Sequence, residues 1–210
     1  MLPLLDNFPF PLVAILRGLT PAEAPTIGRI LFDAGFRLIE VPLNRPGALE
    51  AMRGLIEIAP PNALVGAGTV VTRGDIDAVV HAGGRFMVAP HCDPDVIRYA
   101  VQNELLTLPG VATPTEAFKA LEAGAAGLKL FPAEMMPPAV VKSLRSVLPE
   151  RIWLLPVGGI HPANMGAYVD AGANGFGIGG QLYRPGTEPR AVKRAAETFM
   201  QARAALMQKT

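Results

Sequence analysis

The sequence predicts a single-domain α/β protein, a (β/α)8 TIM barrel spanning residues 1–210. Three observations lead there. Eight short apolar bursts recur from end to end, separated by amphipathic stretches long enough for one helix each. The bursts are apolar on both faces, as parallel strands covered by helices must be. No linker, charge block or low-complexity tract divides the chain, whose length suits one domain. The rival is an open doubly wound sheet. That fold prefers a G-x-G-x-x-G turn after its first strand, and Leu16-Arg-Gly-Leu-Thr20 lacks it.

In chain order the predicted strands are residues 12–16, 36–43, 63–69, 85–89, 105–108, 127–131, 152–157 and 175–179. Thr20 before Pro21 reads as a cap ahead of proline at the first helical position. Thr72 with Asp75, and Thr113 with Glu116, pair a capping hydroxyl with an acid three residues on. Gly35, Gly83, Gly124 and Gly172 each follow an acid-Ala or His-Ala pair and precede an apolar burst. Glycine there supplies the left-handed stop of a helix. Successive stops lie about two βα units apart, a weak internal repeat.

Composition narrows the function. Half the residues are hydrophobic and 18% are charged, so a full core is available. A net charge of +1 argues against a nucleic-acid or anionic-membrane partner, while leaving room for a local basic site. The one cysteine, Cys92, excludes an internal disulfide framework and fits a reducing cytoplasm. The start, from Met1 to Asn7, lacks the basic segment of a secretory leader. No stretch reaches the roughly 20 apolar residues that a spanning helix needs.

In a barrel the C-terminal strand ends face the active site. The candidates are Arg17, Glu40 with Asn44, Thr69, Pro90, Lys129 with Phe131, and two glycine pairs. Period two sends Leu128 and Leu130 outward to the helices and Lys129 with Phe131 inward. A buried ammonium tends to lose its proton, and a neutral amine beside a carbonyl is a Schiff-base nucleophile. The alternatives are a lysine reaching out to solvent and a paired interior lysine. Glu40 shares the inward face with Leu38 and could shuttle protons. Alternatively it is a counter-ion that holds Lys129 charged. Gly158-Gly159 and Gly179-Gly180 follow the seventh and eighth strands, where such barrels bind phosphate; either pair could also be a plain turn. The histidines at 81, 91 and 161 are scattered and form no metal-ligand spacing. Cys92 reads as an inert thiol, Met135-Met136 as packing or interface, Glu134 as a first-turn helix acid, and Lys193 to Arg203 as the solvated face of a last helix.

Five stretches in order resemble the 2-keto-3-deoxy-6-phosphogluconate/6-phosphogalactonate aldolase family. They are Ala14-Ile-Leu-Arg-Gly18, Ile39-Glu-Val-Pro-Leu43, Val65-Gly-Ala-Gly-Thr-Val70, Leu128-Lys-Leu-Phe-Pro-Ala-Glu134 and Pro156-Val-Gly-Gly-Ile160. The resemblance implies a class I aldolase on a (β/α)8 barrel, commonly trimeric, without metal or other cofactor. It implies that Lys129 forms the imine with the C2 ketone and Glu40 moves protons through a water. Arg17 and Thr69 would meet the carboxylate end, Phe131 would pack on the reacting carbons, and Gly158, Gly159, Gly179 and Gly180 would hold the phosphate. Two positions separate the subtypes. The gluconate type resembles E-V-T-L-R where this chain ends in Asn44, and T-G-G-I where this chain has Val157. Arg17 supplies the compensating cation, as in the galactonate type. Gly180-Gln181 stands where some members carry serine. The expected substrate is therefore 2-dehydro-3-deoxy-6-phosphogalactonate, cleaved to pyruvate and glyceraldehyde 3-phosphate. A gluconate-type or dual-specificity aldolase is the first alternative. A barrel sugar-phosphate isomerase or epimerase, or a non-catalytic binding module, is more remote.

Overall fold

Eight parallel strands and eight helices alternate in the computed structural model, which describes residues 7–208. The leader reading rests mainly on residues 1–6 and lies outside the described residues. The elements are β1 (Leu12–Ile15), α1 (Ala24–Ala34), β2 (Leu38–Pro42), α2 (Ala48–Glu57), β3 (Leu64–Gly68), α3 (Arg73–His81), β4 (Phe86–Val88) and α4 (Pro94–Gln102). The fifth strand, β5 (Leu106–Leu108), resumes as Gly110–Val111, followed by α5 (Pro114–Glu122), β6 (Gly127–Leu130), α6 (Pro138–Arg145), β7 (Trp153–Pro156), α7 (Pro162–Asp170), β8 (Phe176–Ile178) and α8 (Pro189–Met207).

The strands pair in parallel in the order β8-β1-β2-β3-β4-β5, and the continuation of β5 pairs with β6 and then β7. Two seams interrupt the curled sheet. At one, Pro109 has no N–H to give the ladder and splits the fifth strand. Single bonds carry the connection there: the Ala126 and Lys129 N–H groups donate to the Thr107 and Pro109 carbonyls at 3.1 and 2.9 Å. At the other, one bridge joins Val157 to Gly177, and the Leu154 N–H donates to Asn174 Oδ1 at 2.8 Å. The architecture is the expected (β/α)8 kind, closed by isolated contacts at these two seams rather than by a continuous ladder.

Period-two alternation divides the core in two. Val13, Leu38, Phe86, Val88, Leu106, Leu108, Trp153 and Leu155 form the barrel interior. Phe8 closes its lower end, edge-on to Trp153 at 6.3 Å between centroids. The alternate residues of the same strands pack outward on the helices. Each large apolar side chain so buried contributes about 1.5–3 kcal/mol.

Thr72 and Thr113 close capping boxes with Asp75 and Glu116, as their spacing predicts. Gly35, Gly83, Gly124 and Gly172 all take positive φ just after their helices. The start of α1 differs. Thr20 and Glu23 close a separate turn, with the Thr20 hydroxyl donating to Glu23 Oε2 at 2.6 Å, and the helix begins at Ala24. A helix running from Pro21 would put Pro25 where an N–H donor is required. Starting at Ala24 leaves Pro25 in the first turn, where none is needed. The basic stretch of α8 is not wholly a solvated face either. Arg203 is half-buried and its Nε donates to the Phe10 carbonyl at 2.7 Å, tying α8 to the entry of β1. No helix among the described residues is long and apolar enough to cross a membrane.

Candidate active site

The inward face of β2 and β6 carries two ionisable side chains. Glu40 is 1% exposed and Lys129 is 5% exposed. The register fixes their heights: Glu40 lies between Ile15 of β1 and Gly66 of β3, and Lys129 between Gly110 and Leu155. The neighbouring glycines leave room for these side chains and for the backbone beside them. A methyl group at Gly68 would sit 2.8 Å from Glu40 Cδ and closer still to Oε1. At Gly110 it would strike the Pro90 backbone at 2.5 Å. Both inward predictions from period two therefore hold, and Lys129 does not reach out to solvent.

Burial dominates the electrostatics of both groups. It pushes the Glu40 carboxyl above the ordinary carboxylate range, with Lys129 and then Arg17 pulling the other way. It pulls the Lys129 ammonium below the usual lysine range, opposed by Glu40 and assisted by Arg17. Glu40 thus moderates the lysine without holding it at its ordinary value. No hydrogen bond or ion pair within 4 Å joins the two among the described residues. Lys129 Nζ lies 4.7 Å from the centroid of the Phe131 ring, which gives the amine an apolar wall.

A cleft of about 390 Å³ opens beside Ile15 of β1, which pairs with Glu40, and beside Phe131, whose ring lies against Lys129; neither Glu40 nor Lys129 lines it directly. Arg17, Phe131 and Val157 line it, as do Gly158, Gly159, Gly179 and Gly180. Arg17 Nη1 donates to Asn44 Oδ1 at 2.9 Å, so Asn44 holds the arginine that its own position lacks. Thr69 directly follows β3 at φ 56°, an uncommon conformation for a β-branched residue and one found where surrounding structure enforces it. Thr69, Pro90 and Asn44 stand on neighbouring strand ends but do not line the cleft itself.

The glycine end has the features of an anion cradle. Gly158 and Gly159 take φ of 112° and 61°, and among the described residues no hydrogen bond occupies the Gly159 amide or that of Gly180, while the Gly158 N–H faces the Gly177 carbonyl in the bridge between Val157 and Gly177. Free amides in such turns attract anions. Glu134 is the first-turn acid of a short 3-10 turn, Ala133–Met135, as expected. It also packs on the Gly158-Gly159 turn so closely that no side chain fits at Gly158. Val157 is part of the barrel wall as well as the cleft: its N–H donates to Leu130 and its carbonyl accepts from Ala133, at 3.0 and 2.9 Å.

Sequence reasoning stopped at Gly180-Gln181 and missed the rest of the loop after β8. Tyr183, Arg184 and Pro185 line the cleft with Gln181, and Arg184 Nε donates to the Gly180 carbonyl at 3.0 Å. The available signal was an arginine four residues beyond a phosphate-type glycine. Cys92 is half-buried, its thiol pushed up chiefly by burial, with Sγ 3.4 Å from the Glu116 carbonyl. Met136 is buried while Met135 is 76% exposed, so the methionine pair divides between packing and surface. Among the described residues no group of three or more His, Cys, Asp or Glu is placed to hold a metal ion.

Comparison with known proteins adds to this geometry. The family described as "KDPG and KHG aldolase" matches residues 9–191. The "Probable 2-dehydro-3-deoxy-6-phosphogalactonate aldolase" of Rhizobium meliloti (strain 1021) is 42% identical over 89% of this chain and 88% of its own. The "2-dehydro-3-deoxy-6-phosphogalactonate aldolase" of Escherichia coli (strain K12) is 42% identical over 91% of this chain and 94% of its own. A solved structure described as "Native KDPGal structure" is 41% identical, with a TM-score of 0.92, covering 94% of this chain and 96% of that one.

Proposed function

The chain belongs to the KDPG and KHG aldolase family, and we propose that it cleaves 2-dehydro-3-deoxy-6-phosphogalactonate to pyruvate and glyceraldehyde 3-phosphate through a lysine imine. The observation that carries the reading is Lys129, a buried lysine on an otherwise apolar strand, with its amine against Phe131 of the cleft wall. A neutral amine there attacks the C2 ketone, and the carbinolamine takes a proton from Glu40 and loses water to give an iminium. The C4 hydroxyl then loses its proton, the C3–C4 bond breaks, and its electrons flow into the iminium. Glyceraldehyde 3-phosphate leaves. The remaining enamine takes a proton at C3, and hydrolysis frees pyruvate and Lys129.

Glu40 is the proton carrier in this scheme, acting through a water because no hydrogen bond or ion pair joins it to Lys129 among the described residues. Burial favours its protonated form, so it can give a proton as well as take one. Arg17, held by Asn44, meets the substrate carboxylate with Thr69 beside it. Pro90 and Phe131 shape the wall around the reacting carbons, and Gly158, Gly159, Gly179 and Gly180 receive the phosphate.

The galactonate and gluconate substrates differ at C4. Val157 offers no hydrogen bond where the gluconate type has threonine. A site built to bond a hydroxyl discriminates strongly against a ligand that leaves its polar groups unpaired. The 42% relatives carry the galactonate name, which agrees with this. A homotrimer acting in the cytoplasm, with no nucleic-acid or membrane partner, completes the proposal. The test is side-by-side cleavage of the two C4 epimers, with pyruvate and borohydride trapping on the same enzyme. One label per chain on Lys129, lost in Lys129→Met along with cleavage, and a higher kcat/KM for the galactonate epimer are expected. A full label on Lys129→Met would overturn the lysine mechanism. An equal or higher kcat/KM for the gluconate epimer would overturn the substrate alone.

A further inference from the structure

The proposed substrate is an anion at both ends, carboxylate and phosphate, and the cleft contains two cationic side chains, Arg17 and Arg184. They serve different ends. Arg17 is held by Asn44 and acts electrostatically on Glu40 and Lys129, so it belongs to the reacting carbons. Arg184 belongs to the glycine end. Its Nε donates to the Gly180 carbonyl at 3.0 Å, and a methyl group at Gly180 would lie 3.3 Å from Nε and 3.6 Å from Nη2. No carboxylate pairs with it within 4 Å among the described residues.

We infer that Arg184 is the cation that binds the substrate phosphate, completing a cradle otherwise made of the Gly159 and Gly180 amides. This rests on the phosphorylated-substrate reading above and adds a residue that neither the glycine pattern nor the family motifs point to. A guanidinium presents two parallel N–H donors to phosphate oxygens and keeps its charge at any working pH. Using Nε on Gly180 leaves the Nη groups for the ligand.

The loop is built to hold this position. The Leu182 and Tyr183 N–H groups donate to the Gly179 carbonyl at 2.8 and 3.1 Å, turning the chain back over Gly180. The Arg184 N–H donates to Thr187 Oγ1, and the Thr187 N–H returns to the Arg184 carbonyl. Tyr183 donates its hydroxyl to Glu23 Oε2 at 3.3 Å, and Pro185 packs so closely on Gly18 that a methyl group there would come within 2.9 Å. The loop carrying Arg17 and the loop carrying Arg184 are thus fastened together. Their separation sets the length of dianion that spans the cleft.

The experiment compares the phosphorylated sugar acid with its dephospho analogue in the full-length protein, Arg184→Gln and Arg184→Lys. Binding of inorganic phosphate alone is measured by calorimetry. A hydrogen-bonded charge contact of this kind is worth about 10–10²-fold. In Arg184→Gln the ratio of kcat/KM between the two substrates should fall by about that factor, and phosphate binding should weaken in parallel. Arg184→Lys, which keeps the charge but loses the fork, should fall between. An unchanged ratio with unchanged phosphate binding would overturn the assignment, as would an equal loss on both substrates. Pyruvate trapping on Lys129 is followed alongside. Its absence from the native protein would refute the imine mechanism, while phosphate binding would still decide Arg184.

Discussion

Gly68→Ala is the sharpest perturbation of Glu40 that leaves every ionisable group in place. The glycine faces Glu40 across the barrel wall, and an added methyl group would sit 2.8 Å from Cδ and closer to Oε1. Ordinary contact begins near 3.4 Å. Gly68 has no positive φ, so alanine suits its backbone and the strain falls on the carboxylate. Glu40 is 1% exposed and cannot swing into solvent without leaving the barrel interior. The carboxylate must therefore move by roughly an ångström, and misplacement of a catalytic group on that scale costs about 10²-fold in rate. That is roughly 2.7 kcal/mol of transition-state stabilisation. Overpacking should also cost about 1–3 kcal/mol of stability, visible as a fall in Tm of several degrees. The assay pairs kcat/KM for cleavage with borohydride trapping of pyruvate and a melting curve. Trapping should persist, because Lys129 is untouched. A folded Gly68→Ala enzyme that cleaves at native rate would refute the claim that the position of Glu40 matters.

Glu40→Gln should fold and cleave about 10²–10⁴-fold more slowly, with pyruvate C3–H exchange in D2O slowed alongside; native rates in both would reduce Glu40 to a counter-ion. Because the Glu40 charge raises the pKa of Lys129, its removal should move the acid limb of pyruvate trapping to lower pH; a shift to higher pH would contradict the sign. Val157→Thr, close in shape but adding a hydroxyl, should move the kcat/KM ratio toward the gluconate epimer, whereas an unchanged ratio would leave Val157 only its place in the barrel wall. Dialysis against EDTA should leave activity intact, since the iminium already supplies the electron sink, and activity that returned only with a divalent ion would argue for a different mechanism.

Local signals carried most of the fold. Capping boxes, glycine stops and period-two strands each depend on residues close in sequence, so 72–75, 113–116 and the inward aim of Glu40 and Lys129 were legible. The exceptions are long-range or irregular. The Arg203 bond to Phe10 spans 193 residues, and nothing in an amphipathic helix announces which basic residue turns inward. Asn44 signalled a missing cation but not that it would hold Arg17, 27 residues away. Arg184 sits in a loop without periodicity, where sequence gives no direction to a side chain. The late start of α1 is encoded by Pro21 and Pro25 together, since a helix from Pro21 would need the N–H that Pro25 lacks.

The charge inventory of the site bears on the choice between nucleophile and counter-ion. Burial penalises the charged form of both Glu40 and Lys129, yet each favours the other's charge. Burial is the larger influence on each. Arg17 alters that balance, because its fixed positive charge favours the Glu40 carboxylate and disfavours the Lys129 ammonium. With Arg17 present, a neutral lysine beside an ionised glutamate leaves the site without net charge. The glutamate therefore need not hold a proton on the lysine to be tolerated in the interior. In the proposed reaction this state has a free amine for attack and a carboxylate ready to accept a proton. When the iminium forms, the positive charge returns to the lysine nitrogen. Glu40 is then surrounded by two cations, and the incoming substrate carboxylate is what restores the balance at Arg17. The asparagine that holds Arg17 in place thus bears on the lysine that it never touches.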